Sequence, residues 1–245
     1  MEIISNAYIM NEIGISIIGG IKMDNNYEYE EYVEICSCPR LGEPAPDFEA
    51  DTTHGKIRFS EFNKGHWVIL FSHPADFTPV CTTEFAAFAD KQEEFDKRNT
   101  KLLGLSIDSV YSHIAWIRDI EEKFEVEIKF PVIADLLMDV ANKYAMIHPA
   151  ISEVHAVRTI YIIDPDGIMK AYIAYPQSVG RNINEIIRML DAIQLAEKEK
   201  VATPANWKQG ENVIVPPPKT LEEARNAKHG EHEECKDWFL CTRKS

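Results

Sequence analysis

Cys81 is the residue of this sequence whose type and position most directly suggest chemistry. It follows Thr78, Pro79 and Val80, and Thr is a good N-cap while Pro is favoured at the first helical position. The spacing therefore predicts a helix that begins at Pro79 and holds Cys81 at its third position. A thiolate there lies near backbone N–H groups without intrahelical partners and near the positive end of the helix dipole. We expect the ionised, nucleophilic form of the thiol to be favoured.

A helix terminus supplies only part of the stabilisation that a thiolate needs at neutral pH, so a cation is expected beside Cys81. Arg158 is the candidate, because it lies near the start of the apolar stretch 157–163 and arginine is always charged. The same local pattern also fits a small buried cysteine and an arginine at a strand edge. These residues alone leave both interpretations open.

Strand and helix signals alternate from Pro39 onward and predict an α/β fold. The turn Asp164-Pro165-Asp166-Gly167 predicts a β-hairpin, so the sheet is expected to be mixed. On one predicted helix, Ile114, Ile117 and Phe124 share a face. The predicted strands cover 67–71, 101–107, 157–163 and 169–174, and the predicted helices cover 80–98, 110–124 and 183–200.

We expect three parts along the chain. Residues 1–38 form an N-terminal extension without a sustained helical or strand period. Residues 39–200 form the main domain. Residues 201–245 form a C-terminal arm, which is rich in loops around the triple proline at 216–218 and carries Cys235 and Cys241.

Composition excludes several classes of protein. Forty acidic residues against 26 basic ones give a net charge of -14, which disfavours nucleic acid and anionic membranes as partners. The apolar stretches are shorter than the roughly twenty residues of a membrane-spanning helix. Glu2 and Glu12 stand where a secretory signal carries basic residues, so we expect a cytoplasmic chain. Five cysteines, an odd number, favour reactive thiols over a disulfide framework, and Cys36 and Cys38 receive no role.

The pattern Pro74-x-x-x-Thr78-x-x-Cys81, followed far downstream by Arg158, resembles the active-site signature of the peroxiredoxins. Longer strings are similar to its 1-Cys branch: Ser72-His73-Pro74, Phe77 to Glu84, Leu105 to Ser109, and Pro204-Ala205-Asn206-Trp207. The resemblance covers about residues 39–218. It implies a thioredoxin-like fold with a C-terminal dimerisation arm, and dimers that assemble into rings, which we expect to be decamers. It implies neither a cofactor nor a metal.

The resemblance also implies an activity, the reduction of hydrogen peroxide and organic hydroperoxides, and a role for each site residue. Cys81 is the expected peroxidatic thiolate, Thr78 orients the peroxide, Pro74 shields the thiolate from water, Arg158 favours its ionised form, Arg181 is a second arginine near the site, and His73 lies beside the pocket and binds substrate.

Cys235 and Cys241 depart from plain 1-Cys relatives, which lack a resolving thiol. They resemble the C-terminal pair of archaeal thioredoxin peroxidases of this branch, in which the last cysteine reacts with a neighbouring subunit. Attack on a peroxide leaves a sulfenic acid that must condense with a thiol before it is oxidised further. We therefore expect Cys241 to resolve Cys81, with Cys235 as helper or alternative and a thioredoxin-type protein as reductant.

Three alternatives stay open at this stage. Histidine and thiolate groups at short spacing suit zinc, and His229, His232, Cys235 and Cys241 form such a set. A cysteine hydrolase using Cys81 and His73 is a second possibility, since a cysteine at a helix start also suits acyl transfer. The third is a chaperone-like assembly, given the rings that the resemblance implies.

Overall fold

The computed structural model describes residues 6–10, 16–20, 38–226 and 234–245. The chain divides into two compact units, each built from two segments. The first unit comprises Met1–Asp90 and Asn99–Arg181, and the second comprises Lys91–Arg98 and Asn182–Ser245. The three-part organisation expected from the sequence stays a prediction.

The described residues form strands and helices that alternate through most of the chain. The strands are β1 Asn6–Met10, β2 Ser16–Gly20, β3 Glu49–Thr52, β4 Gly55–Arg58, β5 Trp67–Ser72, β6 Thr100–Ser106, β7 Val132–Ala134, β8 Arg158–Ile163, β9 Met169–Tyr175, β10 Val213–Ile214, β11 Glu234–Asp237 and β12 Leu240–Arg243. The helices are α1 Phe59–Asn63, α2 Pro79–Asp90, α3 Gln92–Asp96, α4 Val110–Phe124, α5 Asp139–Lys143, α6 Ile183–Glu199 and α7 Leu221–Asn226.

The first unit is organised around a seven-stranded sheet with strand order β4-β3-β7-β6-β5-β8-β9. β5 runs parallel to β6 and antiparallel to β8, so the predicted mixed sheet is confirmed. Every residue of β5 is buried, as its continuous apolar sequence predicts for a central strand. β8 and β9 form the predicted hairpin, in which the Gly167 N–H donates to the Asp164 carbonyl. Gly167 has φ +79°, a backbone conformation that favours glycine.

β5 leads directly into the helix that carries Cys81. Residues 73–78 form the connection, and Phe77 within it has φ 54°, an uncommon left-handed conformation for a large side chain. α2 begins at Pro79, as predicted. The sequence thus brings Cys81 to the carboxyl end of a fully buried strand, where the first turn of a helix faces the edge of the sheet.

Two helix predictions need correction. The helix predicted over 80–98 is two helices, because the backbone at Lys91 leaves the α region (φ −99°, ψ 6°). α4 has the predicted bounds, but its buried residues are His113, Trp116 and Ile120, whereas Ile114 and Phe124 are exposed. A histidine occupies the buried face because both of its ring nitrogens find hydrogen-bond partners there.

The second unit contains α3, α6, α7 and a three-stranded antiparallel sheet of order β10-β12-β11. A small core of Ala192, Trp207 and Val213 holds α6 to the segment that follows it. The Arg98 guanidinium ties α3 to α6 through two hydrogen bonds, of 2.6 and 2.9 Å, to the Asp191 carboxylate. The strands of this unit were not predicted, because β10 has two residues and the other two have four. No helix within the described ranges is long and apolar enough to cross a membrane.

Candidate active site

Cys81 lies at the third position of α2 and is completely buried. Its Sγ accepts a hydrogen bond of 3.2 Å from Arg158 Nη1. The contact that the sequence predicted between the thiol and this arginine is therefore present. Helix terminus and guanidinium both favour negative charge on the sulfur.

Arg158 is held rigidly in the position that reaches the sulfur. Its Nε donates to the Gln177 carbonyl at 2.9 Å, and Nη1 also donates to Glu84 Oε2 at 2.7 Å. Only 2% of the residue is exposed. Because Nε and Nη1 of Arg158 meet acceptors, a charged side chain is tolerated at the start of the buried strand β8.

Glu84 is a site residue that the sequence analysis missed. Its two carboxylate oxygens accept four hydrogen bonds, from Arg181 N at 2.8 Å, Arg181 Nε at 2.9 Å, Arg181 Nη2 at 2.6 Å and Arg158 Nη1 at 2.7 Å. Burial alone would raise the pKa of Glu84, but the charges and hydrogen bonds of Arg181 and Arg158 outweigh it and lower that pKa. The sequence signal for Glu84 was its spacing of three residues from Cys81, since residues three apart are neighbours on a helix surface.

Arg181 is the second arginine of the site and pairs with the same Glu84 carboxylate as Arg158. Nη1 donates to the carbonyls of Ser72 at 2.9 Å and Thr159 at 3.0 Å, which belong to β5 and β8. Burial lowers the pKa of Arg181, while the neighbouring Glu84 carboxylate opposes that shift. Arg158, Arg181 and Glu84 together carry one net positive charge, and the thiolate of Cys81 would neutralise it.

Thr78 and Pro74 lie in the connection between β5 and α2. The Thr78 hydroxyl donates to the Ala75 carbonyl at 2.9 Å, so its oxygen lone pairs are oriented away from that bond. The Thr78 carbonyl accepts from the Thr82 N–H at 3.0 Å, which closes the first turn of α2. Pro74 is buried and contributes no N–H to the site.

His73 is fully buried directly after β5, and its Nε2 lies 2.9 Å from Asp76 Oδ1. Asp76 also contacts His113, and the three side chains place potential metal-ligand atoms within 4.8 Å of one another. The Asp76 carboxylate oxygens and the His113 ring nitrogens, however, are all at hydrogen-bond distance from a protein partner. We therefore interpret the group as a hydrogen-bonded chain.

Cys235 and Cys241 form a disulfide with each other across the hairpin of β11 and β12. This pairing was not predicted from the sequence. Of the remaining cysteines, Cys38 is half-buried with a free thiol, and Cys36 lies outside the described residues. His229 and His232 of the zinc alternative also lie outside the described residues.

Fold and site together define a thiol-dependent oxidoreductase. A fully buried cysteine at a helix N-terminus contacts a fixed guanidinium, and two further cysteines form a disulfide. Such a set of thiols supports oxidation and reduction of sulfur.

Two family models match the chain. The AhpC/TSA family matches residues 41–172, and the C-terminal domain of 1-Cys peroxiredoxin matches residues 192–229. The chain belongs to the peroxiredoxin family. A peroxiredoxin of Aquifex aeolicus is 55% identical over 86% of this chain and 100% of its own length. A peroxiredoxin of Methanosarcina mazei is 56% identical over 84% of this chain and 98% of its own.

Solved structures show the same relationship. A yeast mitochondrial 1-Cys peroxiredoxin has a TM-score of 0.74 and 44% identity, covering 84% of this chain and 99% of its own. A cysteine-to-serine mutant of peroxiredoxin 6 of Arenicola marina has a TM-score of 0.75 and 37% identity, covering 84% of this chain and 97% of its own. The predicted thioredoxin-like peroxiredoxin fold is confirmed. The protein is a thiol peroxidase.

Proposed function

We propose that this peroxidase reduces hydrogen peroxide and organic hydroperoxides through a sulfenic acid on Cys81. The observation that carries the proposal is the 3.2 Å hydrogen bond from Arg158 Nη1 to Cys81 Sγ, made by a guanidinium that Glu84 and Gln177 hold in place. The thiolate attacks one peroxide oxygen, the O–O bond breaks, and the departing alkoxide or hydroxide takes a proton. Cys81 is oxidised to S–OH and the peroxide is reduced to an alcohol or water.

The neighbouring side chains have distinct roles in this step. Charge moves onto the departing oxygen as the O–O bond breaks, and fixed donors such as Arg158 stabilise it. The Thr78 hydroxyl donates to Ala75, so its lone pairs accept the O–H of the incoming peroxide and orient it. Pro74, which is buried, excludes water from the thiolate, and His73 binds substrate beside the pocket. Arg181 acts on Arg158 through the shared carboxylate of Glu84.

The second half of the cycle uses the C-terminal cysteines in sequence. The Cys241 thiol of a neighbouring subunit condenses with the sulfenic acid, which gives a Cys81–Cys241 disulfide and water. The Cys235 thiolate then attacks the Cys241 sulfur, and Cys81 leaves as a thiolate, which the adjacent Arg158 cation favours. The product is the Cys235–Cys241 disulfide. Cys235 and Cys241 already pair across one hairpin, which supports this order of events.

A dithiol protein of thioredoxin type then reduces the Cys235–Cys241 disulfide and completes the cycle. In total, one hydroperoxide and one dithiol give one alcohol, one water and one disulfide. The yeast mitochondrial relative is described with thiol resolution via glutathione and thioredoxin systems, which supports a donor of this kind.

Two variants of the C-terminal pair test the order of disulfide exchange. After stoichiometric peroxide, we expect Cys235→Ser protein to accumulate a covalent dimer on a non-reducing gel, because nothing releases Cys81 from Cys241. We expect Cys241→Ser protein to form no covalent dimer and to proceed to the sulfinic acid, seen by intact mass. Cys38→Ser is the matched control and should behave as the wild type. A covalent dimer in Cys241→Ser, or none in Cys235→Ser, contradicts the scheme.

Cys81→Ser tests the peroxidase assignment itself. Peroxide consumption coupled to a thioredoxin system should be abolished, and undiminished turnover contradicts the role of Cys81. Comparing wild type with this variant also tests the alternative of a cysteine hydrolase. Acyl transfer by Cys81 would release product from an activated ester in the wild type, and not in the variant, without any peroxide.

We further propose a cytoplasmic homodimer that assembles into a decameric ring. Exposed apolar side chains at Tyr111, Leu136 and Leu137 support association, because contact with a second subunit would remove them from water. Light scattering after size exclusion measures the assembly directly, and a monomer at micromolar concentration contradicts it. A chaperone role of the ring would persist in Cys81→Ser protein.

A further inference from the structure

Asp76 lies at the centre of a buried chain of side chains next to the active site. Its Oδ1 is 2.9 Å from His73 Nε2, and its Oδ2 is 2.8 Å from His113 Nδ1. This series of hydrogen bonds ends at the Ile133 carbonyl, 3.1 Å from His113 Nε2. His73 and His113 are both fully buried. We call His73, Asp76 and His113 the His–Asp–His chain.

The acceptors along this chain fix where its protons lie. A carbonyl oxygen only accepts, so His113 Nε2 carries a hydrogen. The two histidines outweigh the effect of burial and lower the pKa of Asp76, so its carboxylate is ionised and also only accepts. His113 Nδ1 therefore carries a hydrogen as well and donates to Asp76. His73 Nε2 donates to the same carboxylate.

The remaining nitrogen of the chain has no partner. Among the described residues, His73 Nδ1 is a buried side-chain nitrogen without a hydrogen bond. Burial lowers the pKa of His73, with Asp76 opposing that shift, so the ring is neutral. Nδ1 of the neutral ring then carries a lone pair that accepts no hydrogen bond from any described residue. A buried acceptor without a partner is rare and calls for a ligand that completes it.

His73 packs against the face of α2 that carries Cys81. Its ring centroid lies 4.8 Å from that of Phe85 and 5.1 Å from that of Trp116. Phe85 follows Cys81 by four residues, which places both on one face of the helix. Trp116 donates to the hydroxyl of Thr82, the residue after Cys81.

We propose that Asp76 and His113 are positioning residues of the peroxidase, which hold His73 as the neutral tautomer protonated on Nε2. His73 Nδ1 thereby presents a lone pair to an O–H hydrogen on the Cys81 side of α2. The inference rests on the proposed function and deepens it, because the oxygen species at Cys81 supply that hydrogen. Asp76 and His113 touch neither the sulfur nor the peroxide and act through His73.

The tautomers are measured directly by magic-angle-spinning NMR of protein labelled with ¹⁵N-histidine and assigned with His73→Phe and His113→Phe. We expect the wild type to show His73 neutral and protonated on Nε2, and His113 doubly protonated. Asp76→Asn should keep the His73 tautomer, because the amide oxygen still accepts from Nε2–H, while the amide NH₂ donates to His113 Nδ1. A wild-type His73 protonated on Nδ1 overturns the proposal.

Kinetics separate positioning from mere support of the fold. We expect Asp76→Ala to slow oxidation of Cys81 by hydrogen peroxide about tenfold, since one hydrogen bond is lost, and Asp76→Asn to restore most of the rate. In a His73→Phe background, Asp76→Ala should add no further loss. An undiminished rate in Asp76→Ala, or an equal further loss without His73, overturns the proposal.

The matched control is Asp135→Asn. Asp135 is also buried, but its carboxylate accepts from the backbone N–H groups of Val140 and Ala141. Asp135→Asn protein should be less stable than the wild type, but the NMR signals of its His73 should not change. The NMR result does not depend on peroxide turnover, so failure of the proposed function and failure of this inference are distinguishable. A changed His73 tautomer in Asp135→Asn would count against a specific role for Asp76.

Discussion

Glu84→Gln is the substitution that most directly tests how the active site is held together. The Glu84 carboxylate joins Arg181 to Arg158, and Arg158 in turn contacts the Cys81 sulfur. Glutamine has nearly the same shape but replaces one oxygen with an NH₂ group. Whichever way the amide turns, that group meets N–H donors, because both oxygens of Glu84 accept hydrogen bonds from arginine.

The magnitude follows from the bonds that are lost. A hydrogen bond to a charged group contributes about 1.5–3 kcal/mol, and the two bonds to whichever oxygen becomes NH₂ cannot form in the variant. Removing one member of a buried ion pair costs about 3–5 kcal/mol, since the other charge stays buried without compensation. We therefore expect Glu84→Gln to lower the free energy of unfolding by about 3–5 kcal/mol, measured by urea denaturation at equal protein concentration. Oxidation of Cys81 should also slow, because Arg158 loses one of its anchors.

Glu185→Gln is the matched control for this measurement. Glu185 also forms a pair with an arginine, Arg188, at 2.6 Å, but both side chains are about one third exposed. Exposed pairs contribute about 0–1 kcal/mol, so this variant should unfold almost as the wild type does. If Glu84→Gln loses no more stability than Glu185→Gln, the reasoning about the buried carboxylate is wrong.

The effect of Glu84→Gln should also depend on pH. Because the pKa of Glu84 is lowered in the folded protein, its contribution is fully present above the unfolded value of about 4.3 and is lost as pH falls through the folded value. The difference in stability between wild type and variant should therefore shrink as pH falls from about 6 toward about 3. A difference that is constant over this range contradicts an ionised Glu84.

Two further substitutions test neighbouring parts of the site. Arg158→Lys keeps the positive charge, but one ammonium cannot reproduce the fixed fork of the guanidinium, so we expect stopped-flow oxidation of Cys81 to slow by about tenfold or more; an unchanged rate would show that charge alone suffices. Gly104→Ala places a methyl carbon 3.3 Å from Cζ of Phe85 and 3.4 Å from Cζ of Phe71. Both rings are fully buried, so we expect a loss of about 1–3 kcal/mol in thermal or urea unfolding, and a neutral result would mean that the rings shift freely.

The sequence predicts the framework of the site well, because local signals determine it. The apolar run of β5 and the Thr78-Pro79 start of α2 locate Cys81 at the end of a central strand and the beginning of a helix. Arg158 was found by a different kind of signal, a permanent charge in an apolar strand that requires a partner. The structure supplies that partner twice, as the Cys81 sulfur and the Glu84 carboxylate.

The network behind the framework was not predicted, because its members look ordinary in the sequence. Glu84 lies between two threonines and an apolar run, and its spacing of three residues from Cys81 does not by itself distinguish it from an exposed glutamate. Its burial follows from Arg181, which is distant in sequence and donates to it through the backbone and the side chain. Pairings of this kind depend on which strands become neighbours, and periodicity within one element does not encode that information.

The face of α4 shows why the same limit affects apolar patterns. Ile114, Ile117 and Phe124 share one face of the predicted helix, yet the helix turns His113 and Trp116 inward. A polar ring can replace an aliphatic one in the core only if both of its nitrogens are satisfied, and Asp76 and the Ile133 carbonyl satisfy those of His113. Asp76 in turn is held because its backbone N–H donates to Asp108. The wrong face and the missed His–Asp–His chain therefore have one cause: the buried side of α4 is selected by hydrogen-bond partners on other elements, which hydrophobic periodicity does not reveal.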